Sequence, residues 1–375
     1  MIWKKPGIRR YFGIGTICVI EMERKLAPGE LLRLARAAGR ETVVIGGGTG
    51  LSTLLLGLKE YTDNITAIVT VTDDGGGSGI LRREFGMLPP GDVRNCILAL
   101  ADTSPLMGQV LNYRFTSGSL EGQNLGNLFL LALNEICGSF DGAVAAMNRI
   151  LAVKGKVLPV SNRDLTLRAE FEDGSVVRGE TAITAAKKQS GLRIRRVSLL
   201  PESAVALQSV IDAIDKAELI VLGPGSLYTS VIPNLLVGEV SAALRRSAAL
   251  RVYSLNLMTQ EGETEGYTAW QHVQEICAHA HGAVVDACVY NTAPLHSRLA
   301  ARYAEEDSTQ LFPHTEEFIG GGVKLLGGDM LSRGQLARHD PLRLAYHIML
   351  AAEQFAPRTG EAGKYDRMLL SADEG

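Results

Sequence analysis

Two glycine-rich turns, each directly after a short apolar run, constrain the fold of this chain more than any other feature. The run 42–45 is β-branched and leads into Gly46–Gly50, and leucines then recur at positions 51, 54, 55 and 58, the spacing of one helical face. A second apolar run, 65–71, leads into Asp73, Asp74 and a further group of glycines. Strand, glycine turn, helix and strand in this order predict a βαβ unit and therefore a parallel sheet.

The first turn has the features of a phosphate-binding loop. It brings backbone N–H groups and the N-terminus of a helix together, and this combination attracts anions. A tight turn without a ligand is the alternative. We expect a diphosphate to contact the backbone of Gly47, Gly48, Thr49, Gly50 and Leu51.

The second turn places an acidic pair at the end of a predicted strand. A dinucleotide enzyme has its ribose-binding acid at this point. Asp73 and Asp74 also suit a divalent cation that bridges phosphates, with Asp73 as the candidate ligand for Mg²⁺. Ordinary turn chemistry is the alternative for both acids. We include Asp73, Gly75 and Gly76 among the candidate ligand-binding residues.

Further candidates follow at strand ends and helix starts along the chain. A third glycine loop, 223–230, comes directly after the apolar run 218–222. Because parallel strands end at one edge of a sheet, these loops are expected to converge on a single crevice. Each candidate could instead be an ordinary turn, cap or solvated residue. They are Asn95, Asn127, Gly223, Gly225, Ser226, Leu227, Asn256 and Arg338.

The order of these segments predicts an α/β protein with a Rossmann-like, three-layer fold and a mainly parallel sheet. We assign 41–355 to this domain, with a small β-rich excursion at 156–200. Residues 1–40 form a predicted N-terminal extension, and 356–375 a predicted disordered tail. The extension runs from basic to apolar residues, but its apolar run of ten is shorter than the roughly twenty residues that a membrane-spanning helix needs.

Composition narrows the functional classes. Hydrophobic residues make up 46% of the 375-residue chain and charged residues 21%, values typical of a globular protein. A formal net charge of −3 argues against a nucleic-acid partner. The five cysteines form no C-x-x-C pair, so neither a disulfide framework nor a zinc site is indicated. We therefore expect a cytoplasmic protein without a transmembrane segment, and a homo-oligomer such as a dimer.

Eight segments, taken in order, resemble the gluconeogenesis factor (YvcK-like) family. They are IGGGTGLS, VTDDGGGSGILR, PPGDVRNC, LGNL, KVLP, GPGSLYTSVIPNLL, NLMTQEGET and RHD, within roughly 41–350. That family is the bacterial branch of the superfamily that contains the archaeal 2-phospho-L-lactate transferase CofD. The resemblance implies a Rossmann-like fold, a UDP-sugar ligand similar to UDP-N-acetylglucosamine, and a role in cell morphogenesis during growth on gluconeogenic carbon sources.

The chain departs from the family pattern at two places. Gly77 stands where the family usually has serine, so one hydroxyl near the expected phosphates is missing. The extension 1–40 is also unlike the minimal family domain.

Two functions fit these residues. One is a UDP-sugar-binding regulator without turnover, which the shortage of acid–base groups favours and which requires no cofactor. The other is an Mg²⁺-dependent transferase of the 2-phospho-L-lactate type, in which Asp73 and Asp74 would be catalytic. An NAD-dependent oxidoreductase is disfavoured, because Thr53 replaces the third glycine of the dinucleotide fingerprint. The regulator's protein partner is not indicated by the sequence.

Overall fold

Twelve strands form two sheets in the described part of the chain. The computed structural model describes residues 11–12, 18–21 and 39–356. The strands are β1 (Tyr11–Phe12), β2 (Cys18–Glu21), β3 (Thr42–Gly46), β4 (Ile65–Val69), β5 (Lys156–Pro159), β6 (Thr166–Phe171), β7 (Val176–Arg178), β8 (Ile194–Leu200), β9 (Leu219–Leu222), β10 (Leu250–Ser254), β11 (Ala287–Asn291) and β12 (Lys324–Gly328).

Helices connect most of these strands. They are α1 (Gly48–Leu58), α2 (Gly76–Phe85), α3 (Gly91–Leu100), α4 (Pro105–Asn112), α5 (Leu125–Cys137), α6 (Phe140–Ile150), α7 (Glu180–Ser190), α8 (Gln208–Lys216), the π-helix Leu227–Val231, α9 (Ile232–Leu235), α10 (Gly238–Arg246), α11 (Ala269–His279), α12 (Ser297–Ala304), α13 (Thr315–Gly320) and α14 (Pro341–Phe355).

The larger sheet has the order β1-β2-β12-β11-β10-β9-β3-β4-β5. Every neighbouring pair is parallel except β1 with β2. In the middle of the sheet, Val44 lies between Ala67 and Val221. All residues of β3, β9 and β11 are buried, because helices cover the sheet and these three strands are largely apolar. The predicted Rossmann-like α/β fold with a mainly parallel sheet is confirmed.

Helix α1 carries the first glycine turn into the core. Its leucines Leu51, Leu54, Leu55 and Leu58 are fully buried. The helix packs closely against α14, and a Cβ at Gly57 would collide with the backbone carbonyl of Pro341. This contact holds the start of α14 against the last turn of α1.

The smaller sheet has the order β7-β6-β8 and is antiparallel. Side chains along β6 alternate between partly exposed and buried, which is typical of a sheet with one covered face. The predicted excursion at 156–200 therefore contains this sheet, but its first strand, β5, belongs to the larger sheet and pairs with β4. Tertiary pairing decides the membership of such a short strand.

Part of the predicted extension joins the larger sheet, because β2 pairs in parallel with β12. The predicted disordered tail lies outside the described residues apart from Ala356. Within the described ranges, no single helix has the length and apolar character needed to cross a bilayer. Two bent helix pairs meet that test by length and composition only, namely α5 with α6 and Leu227–Leu235 with α10.

Candidate functional site

Three helices begin at the C-terminal edge of the larger sheet without a side-chain cap. They are α1 after Gly47, α2 after Gly75, and the π-helix after Ser226. Elsewhere in the chain, Asp340 caps α14 by accepting a hydrogen bond from the backbone N–H of Arg343, 3.0 Å away. Acids from other segments accept two of these N–H groups, Asp92 that of Gly48 and Glu263 that of Tyr228. The other N–H groups in these first turns can bind an anion.

A cleft of about 500 Å³ lies between the first and third glycine loops. The loops approach closely, since a Cβ at Gly50 would lie 2.6 Å from the carbonyl oxygen of Pro224. Residues 256–261 and 337–339 complete the lining. The cleft brings together eight of the predicted site residues, namely Gly47, Gly48, Thr49, Gly50, Gly225, Ser226, Asn256 and Arg338.

Hydrogen bonds from the segment after β10 fix the position of the third loop. The side chain of Asn256 pairs with the backbone of Gly225, accepting from its N–H at 3.2 Å and donating to its carbonyl oxygen at 2.8 Å. The Ser226 hydroxyl donates to Gln260 at 2.8 Å. Asn256 thus shapes the loop, in addition to lining the cleft.

A buried carboxylate supports the start of the π-helix. Glu263 is 1% exposed and accepts hydrogen bonds from the Thr229 hydroxyl at 2.6 Å and the Tyr228 backbone N–H at 3.1 Å. Burial raises the pKa of Glu263 to about 7, while these two hydrogen bonds act in the opposite direction. Sequence reasoning missed this residue, because Glu263 reads as an ordinary charge at the start of a helix.

Arg338 lies at the open side of the cleft and is exposed. Its backbone carbonyl accepts a hydrogen bond from Ser332 at 2.9 Å, which fixes the strand-like segment before α14. No ion pair joins its guanidinium to a residue that the structure describes. The side chain can therefore pair with an anion in the cleft.

Asp92 stands beside the first glycine loop. Its carboxylate accepts a hydrogen bond from the Gly48 backbone N–H, and its Oδ2 lies 2.7 Å from the position of a Cβ on Gly47. Burial, followed by the negative charge of Asp73, raises the pKa of Asp92 to about 6. Sequence reasoning missed this position of Asp92, because the segment PPGDVRNC is typical of an ordinary helix start.

The two predicted acids make different local contacts. Asp73 accepts a hydrogen bond from the Gly75 backbone N–H at 2.9 Å, as in a turn. Asp74 accepts hydrogen bonds from the backbone N–H and hydroxyl of Thr181, at 3.0 and 2.7 Å. Asp74 thereby ties α7 of the excursion to the second glycine turn.

Helix α7 also adds Glu180 to this region. Burial, followed by the charges of Asp73 and Glu263, raises the pKa of Glu180 to about 9. We call Asp73, Asp92, Glu180 and Glu263 the acid cluster. Within the described ranges, no three Asp, Glu, His or Cys side chains are close enough to hold a metal ion unaided. A cation in this region would need oxygen atoms from a ligand as well.

The remaining predicted residues do not line the cleft. Leu51 and Leu227 are buried in the core, with exposures of 0% and 1%, so only their backbones face the loops. Asn95 and Asn127 accept hydrogen bonds from the guanidinium of Arg94, at 2.6 and 2.8 Å. The other members of this group are Asp73, Gly75, Gly76 and Gly223.

The chain is similar to one protein-family model and to named bacterial proteins over most of its length. The family model described as 2-phospho-L-lactate transferase CofD matches residues 42–331. A relative from Thermoanaerobacterium thermosulfurigenes is 49% identical over 312 residues, which cover 83% of this chain and 96% of that protein. A protein named gluconeogenesis factor from Halalkalibacterium halodurans is 43% identical over 325 residues, covering 86% of this chain and 98% of that protein.

A solved structure shares the fold. The crystal structure of a protein from Bacillus halodurans has a TM-score of 0.79 and 42% sequence identity, and the match covers 83% of this chain and 99% of that chain.

Proposed function

This chain belongs to the CofD family, with relatives named gluconeogenesis factor, and from that premise we propose that it binds a UDP-sugar in the cleft. The diphosphate would lie against the uncapped starts of α1 and the π-helix. The observation that carries this proposal is the meeting of two such helix starts with the unpaired cation Arg338 around one cavity.

The size and lining of the cleft suit a nucleotide sugar. A volume of about 500 Å³ is within the usual range for sites of small-molecule ligands. Asn256 and Gln260 offer amide groups for a base edge or sugar hydroxyls. UDP-N-acetylglucosamine is the type of ligand that we propose.

We propose a regulatory role for the bound state. The family resemblance suggests that this role is cell morphogenesis during growth on gluconeogenic carbon sources. The scattered cysteines support a cytoplasmic location. The proposed homo-oligomer stays a prediction.

Calorimetry with UDP-N-acetylglucosamine tests the binding proposal. Gly48 has φ +69° and lines the cleft, so Gly48→Val should crowd the diphosphate and weaken binding by about tenfold or more. Gly191→Val is the matched control, because Gly191 has φ +66° at the end of α7 and open space around its Cβ position. Equal affinities in two folded variants would contradict the proposal.

The acid cluster favours a second candidate function, an Mg²⁺-dependent transferase of the 2-phospho-L-lactate type. Two carboxylates from Asp73 and Asp92, together with diphosphate oxygens, form a donor set of the kind that Mg²⁺ prefers. In that reaction Asp73 would either hold Mg²⁺ or accept a proton from an acceptor hydroxyl, with Asp74 in support. Mg²⁺ would stabilise charge on the phosphates.

Recovery of the ligand separates the two functions. Under the regulatory proposal, UDP-N-acetylglucosamine incubated with the protein and Mg²⁺ is recovered unchanged. Release of UDP or UMP that depends on Asp73, and is lost in Asp73→Asn, would favour the transferase instead.

A further inference from the structure

The start of α2 lies outside the cleft but has the composition of another anion site. The helix has ten residues, its N-cap Gly75 forms no side-chain cap, and its first turn carries no acidic residue. Asp73 precedes this turn and accepts the Gly75 N–H at 2.9 Å, which leaves the later N–H groups of the turn for an anion. Two arginines and a buried glutamine surround this region from α3 and the segment 113–124. These residues are not used by the proposed UDP-sugar site.

Arg94 is a buried cation without a carboxylate partner. It is 7% exposed, and its guanidinium donates to two neutral oxygens, those of Asn95 and Asn127. Its Nε has no hydrogen-bond partner in the described structure. Burying an unpaired guanidinium is costly, so a protein that keeps one usually supplies an anion at some stage.

A second guanidinium lies near the first. Arg114 donates to the Gly122 carbonyl at 2.5 Å, and its charge lowers the pKa of Arg94 to about 10 in addition to the larger effect of burial. Among the described residues, neither arginine forms an ion pair with a carboxylate. Asp92 is the acid whose charge acts on Arg94, and it already accepts the Gly48 N–H. The charges of these two arginines are therefore not neutralised by an ion pair with a carboxylate of the described chain.

Contacts at Gly77 connect Arg114 and Gln123 to the start of α2. A Cβ at Gly77 would lie 3.8 Å from a terminal nitrogen of Arg114 and 3.3 Å from Oε1 of Gln123. Gln123 is 8% exposed, and this oxygen has no hydrogen-bond partner in the described structure. If the amide is turned over, its NH₂ group points to the same place as a donor. An unpartnered buried side chain is thus directed at an uncapped helix start.

We propose that Arg94, Arg114, Gln123 and the N-terminus of α2 form a second anion-binding site, which takes the phosphate or carboxylate group of a second small molecule. The site is adjacent to the acid cluster, since a Cβ at Gly91 would lie 3.4 Å from Oδ2 of Asp73. Asp92 follows Gly91 and contacts the first glycine loop.

Anion binding to the full-length chain tests this site independently of UDP-sugar binding. The probes are inorganic phosphate and malonate, titrated by calorimetry at matched ionic strength into the Gly48→Val protein, in which the first loop is blocked. Tighter binding of phosphate would identify a phosphate ligand, and tighter binding of malonate would identify a carboxylate. Absence of binding of both probes at millimolar concentration would overturn the proposal.

Three variants in the Gly48→Val background locate the bound anion. Arg114→Gln should weaken the binding of the anion by about tenfold or more, the effect of losing one charge-assisted hydrogen bond. Arg114 is exposed, so this variant should fold even if changes at Arg94 do not. Arg94→Lys keeps the charge and should also weaken binding, because lysine cannot hold both asparagines and the anion. Arg149→Gln, at an exposed site on α6, is the control.

The pattern across these variants decides the outcome. Weakening by Arg114→Gln and Arg94→Lys, with no change in Arg149→Gln, supports the second site. Equal affinities in all three would show that the anion binds elsewhere and would overturn it. Failure of UDP-N-acetylglucosamine to bind the wild-type chain would reject the proposed function but leave this site standing.

Discussion

The carboxylate of Asp92 accepts a hydrogen bond from the backbone N–H of Gly48, at the start of the helix that the first glycine loop leads into. A negative charge therefore already lies at the helix terminus that we expect to bind a diphosphate. Asp92 Oδ2 is also 2.7 Å from the Cβ position of Gly47. Phosphates and this carboxylate would repel one another unless a cation or a proton lies between them.

Asp92→Asn should therefore change how UDP-N-acetylglucosamine binding depends on Mg²⁺. Without Mg²⁺ at neutral pH, the variant should bind more tightly than wild type, because the amide oxygen can still accept the Gly48 N–H without a charge. With Mg²⁺ the advantage should shrink or reverse, since a carboxylate is the better ligand for the cation. Calorimetry with and without Mg²⁺ measures both effects. Asp102→Asn is a surface control, and identical Mg²⁺ dependence in wild type and Asp92→Asn would rule out this role.

Glu263→Gln should weaken UDP-sugar binding although Glu263 does not line the cleft. The carboxylate holds Thr229 and Tyr228 in the first turn of the π-helix, and this turn follows directly on the third glycine loop, which lines the cleft. Loss of one strong hydrogen bond in a buried position costs about 1–3 kcal/mol. We expect lower thermal stability together with an affinity loss of roughly tenfold.

A control separates these effects of Glu263 from general electrostatics. Glu316→Gln removes one negative charge at an exposed position on α13 and should leave both measurements unchanged. If Glu263→Gln loses stability but keeps full affinity at a temperature where it is folded, the residue supports the fold and does not position the loop.

Arg338→Glu should reduce UDP-sugar affinity strongly. Arg338 lines the cleft, and a charge-assisted contact to a phosphate is worth about 1.5–3 kcal/mol. Its removal corresponds to roughly a 10- to 150-fold loss of affinity, and reversal of the charge should cost more. The measurement is calorimetry against wild type at matched ionic strength, with Arg333→Glu as an exposed control five positions away in the same segment. A change in affinity below about twofold, well under the expected range, would indicate that Arg338 is only a solvated surface charge.

The fold could be predicted because its signals are local. Apolar β-branched runs such as 42–45 end in glycine and lead into helices, and each such unit specifies a parallel strand with its connection. The membership of β5 in the larger sheet was harder to predict. Its four residues resemble the strands that follow it, and only pairing with β4 distinguishes them.

The site was predicted in part for the same reason. Glycine-rich loops can be recognised in the sequence, and the first and third of them line one cleft. Glu180 and Glu263 could not be found in this way, because the excursion and the segment after β10 bring them to Asp73 from distant parts of the chain. The hydrogen bond between Arg94 and Asn127 likewise joins residues 33 positions apart, and no local sequence pattern indicates it.

His272 should make the protein sensitive to acid. This residue is 0% exposed, its Nδ1 lies 3.1 Å from the Tyr253 hydroxyl, and burial lowers its pKa to about 4. In the unfolded chain its pKa returns to about 6.5. The unfolded state therefore binds a proton before the native state does, and stability present above pH 6.5 is lost as the pH falls towards 4.

In the His272→Phe variant, the free energy of unfolding should depend less on pH in the acid range. A shift from 6.5 to about 4 corresponds to roughly 3 kcal/mol of unfolding free energy between neutral and low pH. The variant should lose about 1 kcal/mol at pH 7.5, because the Tyr253 hydroxyl loses its partner, and should fall less steeply between pH 6.5 and 4.5. Urea unfolding at several pH values measures the slope, with His314→Phe as an exposed control. His339 is also buried with a pKa near 4, so it should contribute to the pH dependence of the unfolding free energy in every variant. Equal slopes for His272→Phe and wild type would mean that His272 is not a source of the acid sensitivity.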